Sequence, residues 1–155
     1  MNRIVELRID NDYTQVELAK KLDMLRGTYS LYEIDQSTLS IELVSKLANL
    51  YKVTTDYIVC LTDKDKIGNL KDIKIDKVIN TRIKDLRISN NLRQSDIAKI
   101  LFIKQNTYSQ YEIGTRTIPL ELLISLCKYY KVSLDYMLYR TDVPNPYPKS
   151  KKYVV

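Results

Sequence analysis

Residues 94–114 read Gln94-Ser95-Asp96-Ile97-Ala98-Lys99-Ile100-Leu101-Phe102-Ile103-Lys104-Gln105-Asn106-Thr107-Tyr108-Ser109-Gln110-Tyr111-Glu112-Ile113-Gly114. Apolar residues recur at helical spacing through Ile97 and Leu101. Ala98 is small enough to let a second helix cross close by. The spacing predicts a helix over 94–101, a tight turn, and a second short helix over 105–112. Helical period alone fits any all-α bundle as well, so the neighbouring sequence has to decide.

The chain is written twice. A shift of 79 residues lays Arg3–Asp63 on Arg82–Asp142 without a gap, with roughly 27 of about 61 positions identical. Leu7-Arg8-Ile9 meets Leu86-Arg87-Ile88, and Thr28-Tyr29-Ser30 meets Thr107-Tyr108-Ser109. Tyr32-Glu33-Ile34 meets Tyr111-Glu112-Ile113, and Asp56-Tyr57 meets Asp135-Tyr136. A unit of about 60 residues is large enough to fold around one core. The expected organisation is a first domain over 1–63, a charged connector over 64–74, a second domain over 75–142, and a Pro/Lys-rich tail over 143–155. Pro144, Pro146 and Pro148 deny that tail a helix, so it is expected to be extended or mobile.

Each copy reads as five short helices. In copy one, Ile4 and Leu7 lie on the first. Thr14-Gln15-Val16-Glu17 has the form of a capping box opening the second. Val16, Leu18, Ala19 and Leu22 are expected to face the core. A turn at Asp23-Met24-Leu25 opens a third helix through about Glu33. Ser40 caps a fourth, with Leu43, Val44, Leu47 and Leu50 at helical spacing. Thr54 or Thr55 caps a fifth ending near Leu61. Copy two repeats the plan at about 77–90, 94–101, 105–112, 119–130 and 134–140. Tyr29, Tyr108, Ile34 and Ile113 are expected in the cores.

Composition narrows the function. The formal charge is +6 and the pI about 9.2, a mild lean toward polyanionic partners. No apolar run reaches the roughly 18 residues of a membrane span. The opening Met1-Asn2-Arg3-Ile4-Val5-Glu6 carries charge within its apolar stretch and does not read as a signal peptide. A cytoplasmic protein is the expectation. The chain has no histidine, and Cys60 and Cys127 lack metal-ligand spacing. They read as reduced core thiols. With no phosphate-cradling glycine loop either, no enzyme, metal or cofactor is expected.

Copy two resembles the Cro/CI-like, or XRE-type, helix-turn-helix domain of Firmicutes phage-like repressors. The resemblance rests on Leu86-Arg87, on Gln94-Ser95-Asp96-Ile97-Ala98, and on Asn106 through Gly114. It continues through Arg116-Thr117-Ile118-Pro119-Leu120-Glu121, Val132-Ser133-Leu134-Asp135-Tyr136-Met137-Leu138 and Arg140-Thr141-Asp142-Val143-Pro144-Asn145-Pro146-Tyr147. With copy one it covers nearly the whole chain. It implies an all-α fold of two tandem five-helix lambda-repressor-like domains that bind double-stranded DNA in a sequence-specific way. The implied role is transcription regulation, read as repression. Gln94 and Gln15, opening the second helix of each copy, would donate to a phosphate. The third helix would enter the major groove, with Lys104, Gln105, Asn106 and Thr107 on base edges and Gln110 one turn on. Amides offer donor and acceptor together and pair bidentately with adenine. Arg93 and Arg116 suit phosphates. Arg8 with Glu33, and Arg87 with Glu112, would form structural ion pairs.

The copies differ where DNA would be read. Copy one has Leu25-Arg26-Gly27-Thr28 in place of Lys104-Gln105-Asn106-Thr107, and Leu31 in place of Gln110. Arg26 and Thr28 are its remaining contact candidates. Asp35-Gln36-Ser37 replaces Gly114-Thr115-Arg116. Residues 1–63 hold seven Lys/Arg against ten Asp/Glu, whereas 82–142 hold ten against six. Phosphate attraction is therefore expected mostly from the second half. Arg93 stands where copy one has Thr14, so that cap is expected to be missing. Leu25 and Leu31 suggest a protein contact for copy one, with a homodimer or another protein as partner. Two alternatives stay open. One is a covalent pseudo-dimer with both copies on DNA. The other is an antitoxin or phage accessory protein using the first domain for protein contact.

Overall fold

The computed structural model describes residues 2–66, 68, 70–72 and 79–152. Ten helices lie among them: α1 (Ile4–Asp10), α2 (Gln15–Lys21), α3 (Arg26–Glu33), α4 (Ile41–Tyr51), α5 (Thr55–Ile58), α6 (Ile79–Ser89), α7 (Gln94–Ile100), α8 (Gln105–Ile113), α9 (Leu120–Tyr130) and α10 (Leu134–Met137). The expected start of the sixth helix near 77 lies outside the described residues. The fifth helix of each copy is shorter than its apolar pattern suggested. Cys60 and Tyr139 take φ of 61° and 60°, a left-handed conformation that ends the helical hydrogen bonding there.

The chain forms two compact units. The first is residues 1–69 together with 147–155, and the second is 70–146. In the first, Ile4, Leu18, Tyr29, Val44, Leu47 and Ile58 are completely buried. In the second, Ile83, Ile97, Tyr108, Leu123, Leu126 and Leu134 play the same part. Ala19 and Ala98 are buried at 1% and 3% exposure, as a close helix crossing requires. Both cysteines are buried free thiols.

Three expected core residues are exposed. Val16 is 59% exposed, Ile34 57% and Ile113 67%. Val16 is in the first turn of α2, two residues from the buried stripe of Leu18 and Ala19. Ile34 and Ile113 close α3 and α8, past the point where Tyr29 and Tyr108 have filled the core. One apolar residue at a helix end need not follow the periodicity of its neighbours.

Side-chain caps open α2, α4, α5 and α10. Thr14 Oγ1 accepts from the Glu17 amide at 3.2 Å, and the Glu17 carboxylate accepts from the Thr14 amide at 2.8 Å. Ser40 caps α4 at 3.0 Å, and Thr54 and Ser133 cap α5 and α10 at the same distance. At α7 the loss of the cap is only half a loss. The Asp96 carboxylate still accepts from the Arg93 amide at 2.8 Å, but a guanidinium has no acceptor to return.

The tail belongs to the first unit. Thr62 and Lys149 form an antiparallel bridge, and the Ser150 amide donates to Leu61 O at 3.2 Å. The prolines do exclude a helix, but the following residues find an edge to pair with.

Candidate nucleic-acid interface

In the second unit, α7 and α8 are joined by Leu101–Lys104. Phe102 turns the chain with φ 55°, and Leu101 closes into the core at 5% exposure. Asp23 makes the same turn in the first unit at φ 56°. The chain then enters α8 from an extended Lys104 (φ −73°, ψ 144°). Lys104, Gln105, Asn106 and Gln110 are exposed and Thr107 is half-buried. Arg93, at the entry of α7, and Arg116, past α8, are exposed as well.

The end of α8 is held by Gly114 at φ 83°. A Cβ there would lie 3.2 Å from Asn80 Nδ2, which itself donates to Glu112 O at 3.3 Å. Asp35 takes the same left-handed region at φ 55°, so the first unit keeps the turn without glycine.

Beneath this surface lies an ion pair repeated in both units. Arg87 Nε donates to Glu112 Oε1 at 2.6 Å and Nη2 to Oε2 at 3.0 Å, while Nη1 donates to Leu92 O at 2.9 Å. Arg8 and Glu33 pair the same way, at 2.6 and 3.2 Å. The fork ties the first helix of each unit to the third and to the turn before the second. Gln94 Nε2 donates to Glu112 Oε2 at 2.8 Å, and Gln15 Nε2 to Glu33 Oε2 at 2.7 Å. Burial alone would push the Glu112 carboxyl up, but the bonds from Arg87 and Gln94 turn the net shift downward. Glu33 is lowered against the same burial by Arg8 and Gln15. Both glutamines are thus oriented by a charged acceptor.

The equivalent surface of the first unit is apolar. Leu25 is 78% exposed, Val16 59% and Leu31 39%. Arg26 and Thr28 are exposed beside them. In the aligned copies Leu25, Val16 and Leu31 stand where the second unit has Lys104, Ser95 and Gln110, and Arg26 and Thr28 stand where it has Gln105 and Thr107.

One exposed residue has no signal in the sequence pattern. Phe102 is 95% exposed at the tip of the α7–α8 turn. Within Leu101-Phe102-Ile103 it looks like core; only the left-handed turn position, shared with Asp23, marks it as outward-facing.

Two short helices, a tight turn and an outward polar edge on the second of them define a helix-turn-helix protein. The helix-turn-helix family model matches residues 4–58 and 83–137, and the chain belongs to that family, of the XRE type, with two domains in tandem. Among curated relatives it is 34% identical over 91 residues to the HTH-type transcriptional regulator ImmR of Bacillus subtilis, covering 58% of this chain and 69% of ImmR. It is 35% identical over 57 residues to the cryptic phage CTXphi transcriptional repressor RstR of Vibrio cholerae, covering 37% of this chain and 51% of that protein. A match to the antitoxin PezA of Streptococcus pneumoniae is 33% over 69 residues and covers 44% of each chain. No solved structure matches significantly. No helix among the described residues is long and apolar enough to cross a membrane. Among the same residues no cluster of His, Cys, Asp or Glu is placed to hold a metal.

Proposed function

We propose that the protein is a sequence-specific, double-stranded DNA-binding transcriptional repressor whose second unit reads the bases. The observation that carries this is the exposed polar edge of Lys104, Gln105, Asn106 and Gln110 on the first turns of α8. In a helix-turn-helix those positions meet the major groove. Gln105 and Asn106 supply paired donors and acceptors for adenine, and Lys104 a donor for guanine or phosphate. Arg93 and Arg116 flank that edge and fix its register on the backbone. Gln94 gives one amide hydrogen to Glu112, and its second remains for a phosphate. Selection of bound duplexes from random DNA tests the reading. Gln105→Ala with Asn106→Ala should abolish the selected preference while leaving salt-sensitive nonspecific binding. Retention of that preference would defeat it.

For the first unit the exposed Leu25, Val16 and Leu31 favour a protein contact over base reading. The repressor keeps precedence over the antitoxin reading, because PezA shares a smaller part of its own length than ImmR or RstR.

A further inference from the structure

The segments that follow the two copies are equivalent in sequence position, and each begins on its own copy and then pairs with the other. After α5, the Asp65 carbonyl accepts from the Thr54 amide at 2.8 Å; after α10, the Pro144 carbonyl accepts from the Ser133 amide at 3.0 Å. These two bonds stay within their own copy and are 79 positions apart. Six residues further on, the pattern crosses. The Lys71 amide donates to Arg140 O at 2.9 Å, in the second unit. The Ser150 amide donates to Leu61 O at 3.2 Å, in the first. Lys71 and Ser150 are again 79 apart, as are Leu61 and Arg140.

The acid two residues after each acceptor holds the arriving segment. Asp142 pairs with Lys71 Nζ at 3.0 Å. Asp63 accepts from the Lys151 amide at 2.6 Å and from Ser150 Oγ at 2.8 Å, and also binds Arg3. Lys152 Nζ reaches Glu6 at 2.7 Å. A tail tethered by chance would not repeat the register of the connector.

We propose that the edge formed by Leu61, Thr62 and Asp63 is a docking site for an extended peptide segment, and that residues 149–152 of this chain are its occupant. Arg140–Asp142 is the same site in the second unit, filled by the connector at Lys71. Each copy is completed by the segment that follows the other. The mode of recognition is backbone pairing along an edge, read out by one carboxylate. It also assigns Lys152, whose ammonium meets Glu6 of the acidic copy rather than a DNA phosphate.

The test uses the full chain, a chain ending at Pro146, and a synthetic peptide of residues 147–155. In the full chain without DNA, the Ser150 and Lys151 amides should exchange on the order of tenfold more slowly than in the free peptide. Removing the segment should speed exchange at the Arg3 amide, which bonds Ile58 O, and leave the Lys71 amide protected. Adding the peptide should restore the slow exchange. Ser150→Pro in the full chain removes the amide donor to Leu61 and the hydroxyl donor to Asp63 and should release Lys151 as well, which keeps the test valid if the shortened chain fails to fold. Unprotected Ser150 and Lys151 amides in the full chain would overturn the proposal, as would a shortened chain with unchanged exchange at Arg3. A fall of about 2.7 in the DNA-binding salt slope on removal of the three tail lysines, with those amides unprotected, would assign the segment to phosphates instead.

Discussion

Arg93→Thr is expected to move stability and DNA binding in opposite directions. At the start of α2, Thr14 Oγ1 accepts from the Glu17 amide at 3.2 Å. At α7 the equivalent Asp96 amide reaches only the Arg93 main-chain oxygen, at 3.0 Å, because arginine lacks an acceptor. Threonine would complete the reciprocal pair. The ion pair given up, Arg93 Nε to Asp96 at 3.6 Å, has an arginine side chain 85% exposed and contributes little. The net gain is about 0.5–1 kcal/mol, at the modest end of measured N-cap effects. For a unit of this size that raises Tm by about 2–8 °C. If Arg93 contacts a phosphate, the same substitution should weaken binding to all sequences alike and lower the slope of log affinity against log salt by about 0.9. Thermal unfolding followed by circular dichroism and a salt titration of DNA affinity read the two effects. A stabilised variant with unchanged affinity and slope would refute the phosphate role. A variant with no gain in Tm would refute the cap argument.

Glu112→Ala should destabilise the second unit by about 3–5 kcal/mol, since it leaves the Arg87 fork without its buried carboxylate; urea unfolding measures this. Gly114→Ala should cost about 1–2 kcal/mol from the left-handed backbone alone, while Asn80 yields its 3.2 Å contact; the readout is again the urea midpoint. Asp63 is held at about 2 by the Lys151 amide, the Ser150 hydroxyl and Arg3. A carboxyl lowered in the folded state contributes stability above its unfolded pKa of about 4 and loses it as pH falls toward 2. Protection of the Lys151 amide, measured against the free peptide at the same pH, should be lost through that window, and Asp63→Asn should remove that loss.

The helical architecture is legible in the sequence because two signals agree. The capping residues Thr14, Ser40 and Thr54 mark helix starts, and the 79-residue repeat marks the same helices twice. The altered surface of the first copy is legible as well, since Leu25 and Leu31 replace a lysine and a glutamine at fixed positions. Periodicity fails at helix ends, where Val16, Ile34 and Ile113 are apolar yet exposed. It fails again at Phe102, whose backbone conformation rather than its side chain decides which way it faces. The docking of Ser150 on Leu61 has no local signal. Pairing along an edge uses main-chain groups that every residue carries, and only the register shared with Lys71 reveals it.

Base reading by the second copy is tested most directly by two double substitutions, compared on a DNA sequence selected by the intact protein. Gln105→Ala with Asn106→Ala should cost about 1–3 kcal/mol for each base that is no longer read, and bring specific affinity down toward nonspecific affinity. Arg26→Ala with Thr28→Ala, at the equivalent edge of the first copy, should leave the ratio of specific to nonspecific affinity unchanged. Collapse of that ratio on changing Arg26 and Thr28, with Gln105 and Asn106 dispensable, would contradict the assignment of base reading to the second copy.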